Sequence, residues 1–270
     1  MKLISICPSN TEILTYLGLE NSLIAVDDFS DWPSTIIKDL PKLGPDLSID
    51  MNMLESLKPD LVLASLSVPG MDKNVAELKR RGIPHIVLNP NSLADISEDM
   101  RTVAAACHIH DRGIKRAEQF EEFIEKMRLI AKNCVETPTC YWEWWPNPIF
   151  TPGRINWLTE ISEIAGGHNL FQDVELASVQ TNWEDVRLRN PDFIFLAWVG
   201  VPYRLIKPAL LMKRPGWPEL PAIVEGRLHI MEEWLYCRPS PRLLEGALKL
   251  ANILHPAEFS HLKLPNWIQK

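Results

Sequence analysis

Short apolar runs alternate along the chain with stretches in which apolar residues recur every three or four positions. The first run, KLISI at 2–6, reads as a buried strand. Ser9, Asn10, Thr11 and Glu12 then supply the small polar side chains and first-turn acid of a helix start, and helical spacing continues to Gly18. LIAV (23–26), DLVLAS (60–65) and HIVL (85–88) repeat the strand pattern. MNMLESL (51–57) and VAELKRR (75–81), the latter closed by Gly82, repeat the helical one. Brief apolar strands separated by helices argue for a parallel sheet covered on its faces.

The pattern returns after residue 137. TEILTYLGLEN (11–21) is echoed by TEISEIAGGHN (159–169), KPDLVLAS (58–65) by NPDFIFLA (190–197), and RGIPHIVL loosely by EGRLHIME. Two lobes on one plan are expected. Between them, Ile114, Ala117, Phe120, Phe123, Ile124, Met127, Ile130, Ala131 and Cys134 form one helical stripe with charges opposite. A helix over 111–134 is about 36 Å long at 1.5 Å per residue, a stiff strut. The expected fold class is α/β: two Rossmann-like parallel-sheet lobes joined by one long rigid α-helix, with a ligand cleft between the lobes. The boundaries are an N-terminal lobe at 1–108, a linking helix at 109–136, a C-terminal lobe at 137–255 and a tail at 256–270.

Composition narrows the partners. The net charge of −7 argues against nucleic acid, which needs a basic face. No apolar stretch reaches the ~18 residues of a membrane span, so no insertion into a membrane is expected. The start, MKLISICPSNTE, lacks the features of a secretory signal, and a cytoplasmic location is expected, with an exported form whose signal has been trimmed as the alternative. The five cysteines are widely spaced, without a CxxC, and suggest neither a metal site nor a disulfide framework.

No phosphate-binding glycine loop, HExxH or GxSxG is present, and the seven histidines are scattered. An enzyme is not expected. The aromatics say more. Ten tryptophans accompany only four tyrosines, and YWEWWPNP (141–148) holds three of them. Alternation puts Trp142 and Trp144 on one strand face and Tyr141, Glu143 and Trp145 on the other. Ligands of parallel α/β sheets bind beyond the carboxyl ends of the strands. The expected strands there lead into Asp28, Phe29 and Trp32; Leu66 and Ser67; Trp144 and Trp145; Trp198; and Trp234, Tyr236 and Arg238. An aromatic face buries up to 150–250 Å², about 4–6 kcal/mol gross, against an association cost of ~4–15 kcal/mol. Several stacked faces therefore suit a large flat ligand: a sugar, haem, a corrinoid or an aromatic siderophore.

Four segments, ICPSNTEILTYLGL, LGPDLSIDMNMLESLKPDLVLA, NPIFTPGRINWLTEISEIAGGHNLF and RPSPRLLEGALKLANIL, together resemble the helical-backbone substrate-binding proteins of ABC importers, most closely the cobalamin-binding branch. The resemblance implies a non-enzymatic binder of cobalamin or a related corrinoid. It puts Pro8 on the N-lobe side of the cleft, Trp144 against the ligand, and Trp234, Tyr236 and Arg238 in the C-lobe cleft loop. It also implies Asp72 and Glu184 as the acids that dock on permease arginines, an ABC permease being the partner if the chain is exported. The chain departs from that branch at Leu66 and Ser178, where cleft tryptophans are expected, and at Ala165 and Ala251, where exported relatives can pair two cysteines.

Overall fold

The computed structural model describes residues 1–269 and divides into two compact units, Met1–Glu121 with Pro239–Pro241, and Glu122–Arg238 with Arg242–Lys270. In the first unit, β1 (Leu3–Ser5), α1 (Pro8–Tyr16), β2 (Leu23–Val26), α2 (Ser34–Ile37), α3 (Met51–Ser56), β3 (Leu61–Ser65), α4 (Asp72–Arg80), β4 (His85–Leu88) and α5 (Leu93–Ala106) follow in turn, and then α6 (His110–Ala131) begins. The four strands form one parallel sheet in the order β2-β1-β3-β4. Ile4, Ala25, Val62 and Ala64 from the strands, with Ile6 just beyond β1, pack with Leu54 and Leu78 from the helices.

The second unit contains β5 (Thr139–Glu143), β6 (Trp145–Pro146), β7 (Ile149–Pro152), α7 (Trp157–Ile164), β8 (His168–Asn169), β9 (Ser178–Thr181), α8 (Trp183–Arg189), β10 (Phe193–Leu196), α9 (Pro221–Val224), β11 (Leu228–Ile230), α10 (Glu233–Tyr236), α11 (Leu243–Leu254) and α12 (Pro256–Phe259). Its main sheet is parallel, ordered β11-β10-β5-β8. Read from the other end, β8-β5-β10-β11 has the topology of β2-β1-β3-β4. The echoes in the sequence therefore mark corresponding elements, α1 with α7 and β3 with β10. A small antiparallel sheet, β6-β7-β9, is added here, and the alternation pattern did not announce it.

The long helix is α6, 22 residues and about 33 Å at 1.5 Å per residue. Its charged face is exposed, while Ala117, Phe120 and Met127 are fully buried. The division between units falls within it, and the tail after 255 belongs to the second unit. α5 had no counterpart in the sequence reading. It starts at a capping box in which Ser92 accepts from Asp95 N and Asp95 answers from N3, an aspartate standing where Glu or Gln is usual.

One expected helix start is corrected. α1 begins at Pro8, which presets φ at the first helical position, and its N-cap Cys7 makes no side-chain cap bond. Ser9, Asn10, Thr11 and Glu12 lie inside the helix, all buried. They tie it to other segments. Asn10 donates to Ala64 O at 3.0 Å, Thr11 donates to Ser5 Oγ at 2.8 Å, and Glu12 accepts from Ser240 Oγ. Buried polar groups need such partners, and here the partners hold the head of α1 against β1, β3 and the returning segment Pro239–Pro241.

Candidate ligand-binding loops

Because both sheets are parallel, the loops after β1, β2 and β3 emerge at one edge of the first sheet, and those after β5, β10 and β11 at one edge of the second. The sequence-predicted residues sit in these loops, but their side chains divide between surface and core.

In the first unit, Pro8 is half-buried at the head of α1 and Ser67 half-buried after β3. Phe29 is 50% exposed and Leu66 38% exposed. Trp32 is half-buried, its ring 5.1 Å from that of Tyr16. Ser67 and Ser65 share a hydroxyl bond of 2.8 Å. Asp28 is exposed, but its carboxylate accepts Gly44 N at 3.2 Å and its own N–H donates to Gly44 O at 2.9 Å. It fastens the loop to the Gly44 turn.

Sequence reasoning passed over Asp27, which organises this loop. Its side chain is fully buried. Oδ1 accepts from Phe29 N at 2.8 Å and from Ser30 N at 2.9 Å, and Oδ2 accepts from Ser30 Oγ. The Ser30 hydroxyl is shared with Thr11 at 2.7 Å, and Lys42 donates to the carbonyls of Asp27 and Ser30. Burial pushes the Asp27 carboxyl up to about 6, outweighing the Ser30 and Phe29 hydrogen bonds that favour the carboxylate. An Asp two and three residues before the bonded N–H groups is the signature of an Asx turn, and that spacing is readable in DDFS. The turn holds Phe29 outward while Ser30 points into the core.

In the second unit, the strand pair 141/143 and 142/144 alternates as expected. Trp142 is fully buried, its ring 4.8 Å from Phe195 and 5.0 Å from Tyr236, and its Nε1 donates to Ser162 Oγ. Trp144 is half-buried, 6.1 Å from Trp157 on the same face. Trp145 leaves the main sheet to start β6, is 42% exposed, and donates to Asn147 O at 3.1 Å. Trp234 is half-buried, and Arg238 lies 3.4 Å from Glu233 as an ion pair.

Two expected ligand contacts are core side chains instead. Tyr236 is fully buried and donates to Gly246 O at 3.0 Å. Trp198 is 4% exposed within the cluster of Tyr141, Ile194, Leu211 and Trp217. The reason for the latter is Glu143, whose burial strand alternation alone does not predict. Its carboxylate is fully buried and accepts Trp198 Nε1 at 3.2 Å, Tyr141 OH at 2.8 Å, and both Arg214 terminal nitrogens at 2.6 and 2.9 Å. Arg214 also covers the Trp217 ring at 4.4 Å. A charge buried at that depth must be paired and hydrogen-bonded, so Trp198 turns inward to serve it. The distribution is also uneven: Trp32 belongs to the first unit and the other nine tryptophans to the second.

Asp72 and Glu184 are exposed in the first turns of α4 and α8, where the helix dipole favours acids. Glu184 forms a two-pronged pair with Arg187 at 2.9 and 2.7 Å, which lowers its carboxyl below the usual range.

Parallel α/β units carrying aromatic side chains in the loops at their carboxyl edges have the layout in which such sheets bind small molecules. The family model for periplasmic binding proteins matches residues 3–233, and the chain belongs to that family, the type III substrate-binding proteins of ABC importers. An uncharacterized ABC transporter substrate-binding lipoprotein of Bacillus subtilis (strain 168), YvrC, is 29% identical over 269 residues, covering 96% of this chain and 81% of its own length. A vitamin B12-binding protein of Vibrio vulnificus (strain YJ016) is 29% identical over 244 residues, covering 90% of this chain and 86% of that protein. Among solved structures, the periplasmic heme-binding protein RhuT of Roseiflexus sp. RS-1 in apo form superposes with a TM-score of 0.82 at 24% identity, covering 95% of this chain and 98% of the other. This last likeness is one of fold.

Proposed function

We propose that this chain is a non-enzymatic binding protein for cobalamin or a related corrinoid, with the aromatic loops at the carboxyl edges as its contact surfaces. The observation that carries the reading is the outward presentation of large faces by fixed loops, Phe29 on the Asp27 turn and Trp145 at the start of β6. A half-exposed Phe offers roughly 100 Å² to a ligand, about 2.5 kcal/mol gross. Several such faces are needed to overcome the ~4–15 kcal/mol cost of association, which favours a broad ligand. The 29% identity to a vitamin B12-binding protein over 90% of the chain supports the corrinoid. Pro8, Trp32, Ser67, Trp144, Trp234 and Arg238 complete the proposed contacts.

Haem or a siderophore is the second reading, favoured by the side chains at two positions: Leu66 and Ser178, both exposed, stand where the cobalamin-binding resemblance implies tryptophans. Asp72 and Glu184 are proposed to dock on permease arginines in the exported alternative only. A cytoplasmic site of action is part of the proposal; the five free thiols support it.

Titration with cobalamin, cobinamide and haem, read by tryptophan quenching, tests the ligand. Corrinoid binding tighter than haem binding is expected, and Trp144→Ala is expected to weaken it at least tenfold, about 1.4 kcal/mol. Haem alone binding would overturn the corrinoid reading, unchanged affinity would remove Trp144 from the contact surface, and ligand turnover seen by mass spectrometry would overturn the non-enzymatic one. Recovery of the native protein from outside the cytoplasmic membrane on cell fractionation would overturn the cytoplasmic location alone.

A further inference from the structure

In a chain with 35 acids and 28 lysines and arginines, residues 193–218 contain no Asp or Glu. Within this stretch, VGVPYRLIKPALLMK (199–213) also lacks Ser, Thr, Asn and Gln. It consists of aliphatic residues, proline, glycine, one tyrosine and three cations, an unusual composition for a surface loop.

The structure shows how it is held. Ile206 and Leu211 are buried in the core of the second unit, beside Trp217. They pin two 3₁₀ turns, Tyr203–Leu205 and Pro208–Lys213. Between and around these anchors the chain turns apolar side chains outward: Leu205 is 56% exposed and Leu210 47%, with Val199, Tyr203 and Met212 also exposed. Arg204, Lys207 and Lys213 are exposed among them, and among the described residues none of the three has an ion-pair partner. Arg214, the next residue, is consumed by Glu143. The surface continues from Tyr203 and Pro208 into an open groove of about 430 Å³ along the outer edge of β11, walled by Leu228, Ile230 and Ile253.

We infer that this segment rests the second unit on a membrane surface containing anionic phospholipid. The cations match the headgroup charge, and the aliphatic side chains reach the acyl boundary beneath it. Lys and Arg stems lie along apolar surface while their heads stay in the polar layer, and Tyr203 is of the amphipathic type that favours such interfaces. An acidic protein surface is the other anionic partner. A protein interface carries about one hydrogen bond per 100–200 Å², and this segment offers no neutral hydrogen-bonding side chain except the Tyr203 hydroxyl. No helix among the described residues is long and apolar enough to cross a membrane; the contact lies on the bilayer and does not span it. The inference is independent of the ligand.

Flotation of the full chain with vesicles tests it. Binding is expected to phosphatidylcholine vesicles containing a quarter phosphatidylglycerol, and not to phosphatidylcholine alone, and it should fall steeply at 0.5 M salt. Each cation contributes about fivefold, so the triple variant R204Q/K207Q/K213Q should bind roughly a hundredfold more weakly. L205S/L210S/M212S, with all cations retained, should lose at least tenfold. Leu205→Trp should shift its emission to the blue on vesicles. All the changed side chains are exposed, and circular dichroism checks that the variants fold. No binding of the native chain at millimolar lipid overturns the inference, as does equal binding to both vesicle types or an unaffected charge variant. A serine variant that binds as well as the native chain also overturns it, pointing to simple polyanion attraction such as an acidic protein would supply.

Discussion

Replacing Arg214 by Met would strand the Glu143 carboxylate in the core of the second unit. Arg214 donates two charge-assisted hydrogen bonds to it, at 2.6 and 2.9 Å, each worth about 1.5–3 kcal/mol. Tyr141 OH and Trp198 Nε1 remain as donors, but neither carries charge. Breaking a buried pair in this way costs ~3–5 kcal/mol, a large share of the ~5–15 kcal/mol that holds an ordinary domain together. Removing both partners, as in Glu143→Leu with Arg214→Met, takes away the buried charge altogether. It leaves two neutral donors without an acceptor, at about 1–3 kcal/mol each, offset by the ~1–4 kcal/mol that apolar replacement of a buried pair can return. The double variant is therefore expected to be more stable than Arg214→Met alone, with a coupling of at least about 2 kcal/mol. Urea unfolding followed by tryptophan fluorescence measures this well, because nine of the ten tryptophans lie in the second unit. A loss below about 1 kcal/mol for Arg214→Met, or strictly additive effects, would refute the account of Glu143 as a buried charge that organises Tyr141, Trp198 and Arg214.

Two further outcomes follow from buried positions near the proposed contacts. The Asp27 carboxyl is raised from 3.8 to about 6, so between those values the folded state holds more protons than the unfolded one, and stability should decline as pH rises from about 4 to 6, by up to about 3 kcal/mol from this group. Asp27→Asn should flatten that slope in unfolding measurements made across the range, and an unchanged slope would assign it to other groups. Gly246 lies in α11, where an added Cβ would come 2.3 Å from Leu235 O and 3.1 Å from the Tyr236 ring. Gly246→Ala should destabilise the second unit by about 1–3 kcal/mol despite the better helix propensity of alanine, and by displacing α10 it should also weaken ligand binding through Trp234; a thermal melt unchanged from the native chain would contradict the tight packing.

What the sequence determined on its own was periodic and local. Strand and helix repeats are properties of neighbouring residues, so the parallel strands, the long amphipathic helix and the doubled β1-α1-β2-β3-β4 plan could be read from spacing and internal echoes. The same grammar placed the aromatic loops at the carboxyl edges, because strand direction in a parallel sheet follows from connectivity. Tertiary structure alone decided which way the aromatics face. Trp142, Trp198 and Tyr236 became core while Trp145 remained outside, and nothing in their immediate neighbours separates them; only Phe29, held outward by the local Asp27 turn, carries such a signal. The choice depends on partners distant in sequence: Arg214 stands 71 residues from Glu143, and Ser240 stands 228 from Glu12. A polar residue beside a strand can cap, solvate or be buried with equal local plausibility, and only the arrival of its distant hydrogen-bond partner selects burial, since without that partner the desolvation cost would be prohibitive.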